Sequence, residues 1–136
     1  MKKNLLLMVL AFVAIPFNML LAQPNPGATK KMDVYYFHGN HRCPTCNAIE
    51  KETKALLEST FKNQLNNGTI KLHLLNYEED KNEAIVKKYE IWGSSLLLVD
   101  AKGKTTNLTE MAFASARNEA PKFKADLKKE VDKLLK

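Results

Sequence analysis

Apolar and polar positions change period several times between Met32 and Lys136, and each change marks a predicted element. Met32-Asp33-Val34-Tyr35-Tyr36-Phe37-His38 is rich in β-branched and aromatic side chains and predicts a buried strand, which Gly39-Asn40 breaks. From Pro44 the period becomes helical. Cys46, Ile49, Thr53, Leu56, Leu57, Phe61 and Leu65 recur at three- and four-residue steps, while Glu50, Lys51, Glu52, Lys54 and Glu58 take the other face. Pro44 suits the first helical position because it has no N–H to leave unpaired. Asn66-Asn67-Gly68 carries the stop signal.

Residues 69–76 alternate, with Ile70, Leu72 and Leu74 on one face and Lys71, His73 and Leu75 on the other, and predict a second strand with His73 at the surface. A polar stretch over 77–82 opens a shorter helix through Ala84, Ile85, Val86 and Tyr89. Leu96-Leu97-Leu98-Val99 is a continuous apolar run that fits a central strand buried on both faces. Asp100-Ala101-Lys102-Gly103 predicts a tight turn into an edge strand over 104–108. Thr109 is placed to cap a short helical segment. Ala120, Phe123, Leu127, Val131 and Leu134 give the last helix an apolar stripe. The expected fold class is α/β: a central mixed four-stranded sheet flanked by helices, in the order βαβαββα.

The N-terminus has a different character. Lys2 and Lys3 precede an apolar run from Leu5 to Ile15, Pro16 and Asn18 interrupt it, and Leu20-Leu21-Ala22 ends in a small residue suited to cleavage before Gln23. This predicts a signal peptide over 1–22, a flexible leader over 23–31 containing Pro24, Pro26 and Gly27, and one domain over 32–136. The expected location is exported, in the periplasm. Losing Lys2 and Lys3 takes the formal charge from +6 to +4. The C-terminal lysines Lys122, Lys124, Lys128, Lys129, Lys133 and Lys136 are interspersed with Asp126, Glu130 and Asp132, which argues against a nucleic-acid surface.

Export sharpens the meaning of the two cysteines, Cys43 and Cys46, in Cys43-Pro44-Thr45-Cys46. In an oxidising compartment two such cysteines pair. A staple this short closes a small loop and removes little unfolded-state entropy, so reactivity is the better explanation of the pair. The strand-to-helix junction supplies unpaired N–H groups and the positive end of the helix macrodipole, both of which favour thiolate. Cys43 is expected to be the exposed attacking sulfur. Cys46, on the apolar stripe, is expected to be the buried resolving one. The rival reading is a thiolate site for Cu(I), Zn(II), arsenite or a shared iron–sulfur cluster, with Cys43 and Cys46 as ligands. Two ligands from one chain are few, so that reading requires a dimer or a histidine, His41 first.

A βαβ pattern with Cys-x-x-Cys at its first junction resembles the thioredoxin superfamily over roughly 32–135. The stretch from Tyr89 to Val99, which contains Trp92-Gly93-Ser94-Ser95, resembles the one where thioredoxins carry a cis-proline loop into their third strand. More narrowly, the string from Tyr35 to Glu50, which contains His38-Gly39-Asn40-His41-Arg42-Cys43, resembles the ArsF-type family, exported proteins named as a subunit of a nitrophenyl compound nitroreductase and associated with arsenic-resistance operons. The resemblance implies a thioredoxin-like thiol–disulfide oxidoreductase or electron-relay subunit with no cofactor beyond its redox disulfide. Its implied partner is a redox protein, membrane-associated or a nitroreductase subunit. Two departures bear on mechanism. Ser95 stands where thioredoxins place the cis-proline, so a trans peptide is expected there. Phe37 stands where they place a buried carboxylate, which leaves His38 as a candidate proton carrier beside its bland reading as a satisfied core histidine. His41, Arg42, Pro44, Thr45, Trp92, Ser94 and Ser95 are the expected neighbours of the cysteines. The positive charge of His41 and Arg42 is expected to favour the Cys43 thiolate.

Overall fold

The computed structural model describes residues 31–136. The predicted signal peptide, and the leader up to residue 30, lie outside the described residues. The elements are β1 (Met32–His38), α1 (Pro44–Thr60), α2 (Lys62–Asn66), β2 (Ile70–Asn76), a 3-10 turn (Asp80–Asn82), α3 (Glu83–Lys88), β3 (Ser95–Asp100), β4 (Thr105–Asn107), α4 (Thr109–Ser115) and α5 (Ala120–Leu135). The four strands form one sheet in the order β2-β1-β3-β4. β1 runs parallel to β2 and antiparallel to β3, and β4 is antiparallel to β3. This is the expected mixed sheet, with β1 and β3 at its centre.

Alternation along β1 sends successive side chains to two different cores. Met32, Val34 and Tyr36 pack with Ile49, Leu56 and Leu57 of α1, Ala112 of α4, and Phe123, Leu127 and Val131 of α5. Tyr35 and Phe37 point the other way and join Leu97, Val99 and Ile91, covered by Ile85 and Val86 of α3. Burial on both faces explains why β1 and β3 read as nearly continuous apolar runs. Phe123, Leu127 and Val131 are fully buried, and each contributes about 1.5–3 kcal/mol by leaving water.

Several boundaries differ from expectation. The helix from Pro44 breaks at Phe61, whose backbone leaves helical geometry at φ −116° and ψ 24°, and a second short helix carries the chain to Asn66. Phe61 is buried in the core, so packing of its ring overrides a continuous helical period. Thr109 does not cap α4. Its hydroxyl accepts from the Leu96 N–H at 3.1 Å, while Asn107 Oδ1 accepts from the Thr109 N–H at 2.9 Å. The edge strand is also shorter than the run over 104–108.

His73 is not a simple surface residue. Its Nε2 lies 2.8 Å from Asp33 Oδ1, and its ring stacks on Tyr35 at 4.4 Å. The cause is register: Tyr35 pairs with His73 across β1 and β2, which brings the imidazole over the buried Asp33. Glu50 and Glu52 also leave the solvated face foreseen for them. Their side chains retain little exposure, Glu50 paired with Arg42 and Glu52 3.4 Å from Lys124 of α5.

Candidate redox site

The two cysteines sit where β1, after a short loop, becomes α1. Gly39 keeps that loop against the end of β2: a Cβ there would fall 2.6 Å from Glu78 Oε1 and 2.7 Å from the Tyr77 hydroxyl. Asn76 Nδ2 donates to Asn40 Oδ1 at 2.7 Å and ties the loop down. The chain then enters α1 with Cys43 as the N-cap and Pro44 at the first helical position. Cys43 Sγ accepts from the Cys46 N–H at 3.0 Å, as a capping serine or aspartate oxygen would. No acidic residue lies in the first turn of α1, so no carboxylate there offsets the helix dipole.

Cys43 and Cys46 are joined by a disulfide, with Cα atoms 5.0 Å apart. Cys43 is exposed, whereas Cys46 is only 6% exposed. The pair is therefore asymmetric: an incoming sulfur has access to Cys43 and not to Cys46. His41 and Pro44 are exposed, and Thr45 is half-buried.

Two polar side chains approach the inner cysteine. The Tyr36 hydroxyl donates to the Cys46 carbonyl at 2.8 Å. The Ser94 hydroxyl donates to Cys46 Sγ at 3.8 Å. Burial pushes the Tyr36 phenol up to about 12, with nearby Glu50 and Tyr77 acting the same way and Arg42 and Ser94 opposing. Tyr36 is thus a neutral donor across the physiological range. It was not among the residues expected here, because its spacing in β1 marks it only as core.

Arg42 is ion-paired to Glu50, so much of its charge is directed at a carboxylate rather than at Cys43. His38 is partly buried, with Nδ1 3.1 Å from the Gly39 carbonyl oxygen, and Phe37 is fully buried. Among the described residues every peptide bond is trans, including that before Ser95. The Ser95 hydroxyl donates to the Gly93 carbonyl at 2.9 Å.

Trp92 is 93% exposed and so is not a core residue. The cause lies just before it. Glu90 adopts φ 51°, the left-handed conformation that ends α3, and Ile91 returns a hydrogen bond to the Val86 carbonyl. That turn buries Ile91 and throws Trp92 outward. Trp92, Ser94 and Ser95 together line an open groove of about 590 Å³ with Glu90, Asn107, Thr109 and Glu110. Among the described residues no group of three or more His, Cys, Asp or Glu side chains is arranged to hold a metal ion.

A four-stranded mixed sheet flanked by helices, with a Cys-x-x-Cys disulfide at the first strand–helix junction, defines a thioredoxin-like fold whose site is compatible with thiol–disulfide exchange. No family model and no curated protein matches the chain. Among solved structures, a chain described as a malarial protein is 19% identical and aligns over 65% of this chain and 98% of its own, with a TM-score of 0.42. A thioredoxin from Thermus thermophilus is 18% identical over 57% of this chain and 58% of its own, with a TM-score of 0.35. The strand order and the position of the disulfide define the fold.

Proposed function

We propose that the protein is an exported thiol–disulfide oxidoreductase that relays two electrons between its Cys43–Cys46 pair and a partner protein. The observation that carries this reading is the asymmetry of the disulfide: an exposed Cys43 at a helix N-terminus, bonded to a buried Cys46. In the reducing direction the Cys43 thiolate attacks a partner disulfide. A bond forms between Cys43 Sγ and one partner sulfur, and the other leaves as a thiolate and takes a proton. The Cys46 thiolate then attacks Cys43 Sγ. The intramolecular disulfide forms, and the second partner sulfur leaves with its electron pair. The partner gains two electrons and the protein loses two. The reverse sequence oxidises a partner dithiol with the same balance.

Export is part of the proposal and rests on the charge and apolar pattern of residues 1–22. The motif from Tyr35 to Glu50 supports a partner in an arsenic-linked or nitroreductase system. In such a system this chain would be the relay subunit, with no cofactor of its own beyond the disulfide.

An equilibrium redox titration of the metal-free protein tests the reading. A single two-electron transition of the Cys43/Cys46 thiols is the expected result. A midpoint near about −270 mV would mark a reductant, and one near about −120 mV a strong disulfide donor. Thiols that do not pair reversibly, or that pair only after bound metal is stripped, would overturn the reading and leave a thiolate metal or metalloid site in its place.

A further inference from the structure

Once the disulfide opens, Cys46 must become a thiolate in a place that disfavours one. Its side chain is almost wholly withdrawn from water, and burial in apolar surroundings raises a thiol's pKa. The opposing device is already in position. Ser94 reaches Cys46 Sγ from the loop before β3, across 48 positions of sequence, at a distance suited to an O–H···S contact. In the disulfide the sulfur is a weak acceptor. As a thiolate it carries full charge, and the same hydroxyl gains a charge-assisted bond.

Tyr36, fully buried in β1, anchors its own hydroxyl on the Cys46 carbonyl. The phenol is therefore fixed to the backbone of the residue whose sulfur Ser94 addresses. The charged and titratable groups around it are Arg42 from the loop, Glu50 from α1 and Tyr77 after β2. Arg42 and Glu50 are bound to each other, which leaves Ser94 as the donor directed at the sulfur.

We propose that Ser94 is a positioning residue that stabilises the Cys46 thiolate and so speeds release of the mixed disulfide. This inference rests on the redox reading above. It predicts that the hydroxyl, and not merely the volume, of residue 94 sets the acidity of Cys46.

The test uses Cys43→Ser protein, in which Cys46 titrates alone, and follows the Cys46 13Cβ chemical shift against pH by NMR. Ser94→Val and Ser94→Thr are nearly equal in volume and differ in the hydroxyl. The Val variant should raise the Cys46 pKa by about one unit, a tenfold loss of thiolate at a given pH below it, and the Thr variant should stay close to Ser94. Tyr36→Phe, which removes the bond to the Cys46 carbonyl and leaves the Ser94 donor in place, should raise it by less. Equal pKa values for the Val and Thr variants would overturn the proposal. So would a larger shift in Tyr36→Phe than in Ser94→Val. The wild-type redox titration separates the two failures. If the pair cycles reversibly while the pKa does not move, only this inference falls. If the pair does not cycle, the redox reading falls and this inference with it.

Discussion

Arg42 and Glu50 form an ion pair across the first turns of α1, joining the loop that precedes Cys43 to the helical position one turn beyond Cys46. Both side chains are mostly shielded, and Glu50 Oε2 is buried. The pair therefore does two things at once. It closes the site's edge, and it withholds the guanidinium charge from the exposed sulfur.

Releasing that charge should be visible at Cys43. Glu50→Gln frees Arg42 and should lower the Cys43 thiol pKa by about half a unit, roughly threefold in thiolate. The pH profile of iodoacetamide alkylation checks it, since Cys43 is the accessible sulfur. Arg42→Ala should instead destabilise the fold by about 1–3 kcal/mol, because it strands a buried carboxylate oxygen, and urea unfolding reads that cost. If alkylation of Cys43 is unchanged in Glu50→Gln, the two groups do not govern the site's electrostatics.

His73→Ala should cost about 1–3 kcal/mol in the same unfolding experiment, although His73 lies on an edge strand. The substitution removes the 2.8 Å contact to Asp33, whose residue is only 4% exposed, and the stack on Tyr35. Redox behaviour should not change, because this cluster lies on the sheet face opposite α1. A loss below 0.5 kcal/mol, the usual scale of a surface change, would show that the pair is incidental.

Alkali should unfold the protein through two tyrosines. Burial pushes Tyr35 and Tyr36 up to about 12, with Asp33 and Tyr89 adding to the effect at Tyr35. An unfolded tyrosine ionises near 10, so between about pH 10 and 12 the unfolded chain has lost protons that the folded one keeps. Their contribution to stability is complete below pH 10 and is lost as pH rises toward 12, at up to about 1.4 kcal/mol per pH unit for each tyrosine. Tyr35→Phe and Tyr36→Phe should each flatten the fall of the urea midpoint over that range. An unchanged slope in both would refute the assignment.

Trp92→Ala should leave stability within about 0.5 kcal/mol of wild type, because the side chain is almost fully exposed. Exchange with oxidised glutathione should likewise be unaffected. Exchange with a folded protein disulfide should slow severalfold if the groove beside Ser94 receives the partner, since exposed tryptophans are strong interface anchors. Stopped-flow measurement of both rates on one preparation decides it. Equal rates with the protein disulfide would remove Trp92 from the docking surface.

The element order and the place of the cysteines were legible along the chain. Period-two and period-3.6 patterns are local, and they record which face of each element meets the core. Pro44 after Cys43, and Cys46 on the apolar stripe of α1, were enough to order the two sulfurs by exposure. Tertiary structure decided what surrounds them. Nothing in β1 marks Tyr36 as more than core, because its hydrogen bond depends on Cys46 arriving from α1. The pairing of Arg42 with Glu50, the capture of His73 by Asp33 and the expulsion of Trp92 by the left-handed turn at Glu90 have the same origin. Each depends on register or on loop geometry, which pattern along one chain does not encode, because hydrogen bonds and ion pairs form between residues that only folding makes neighbours.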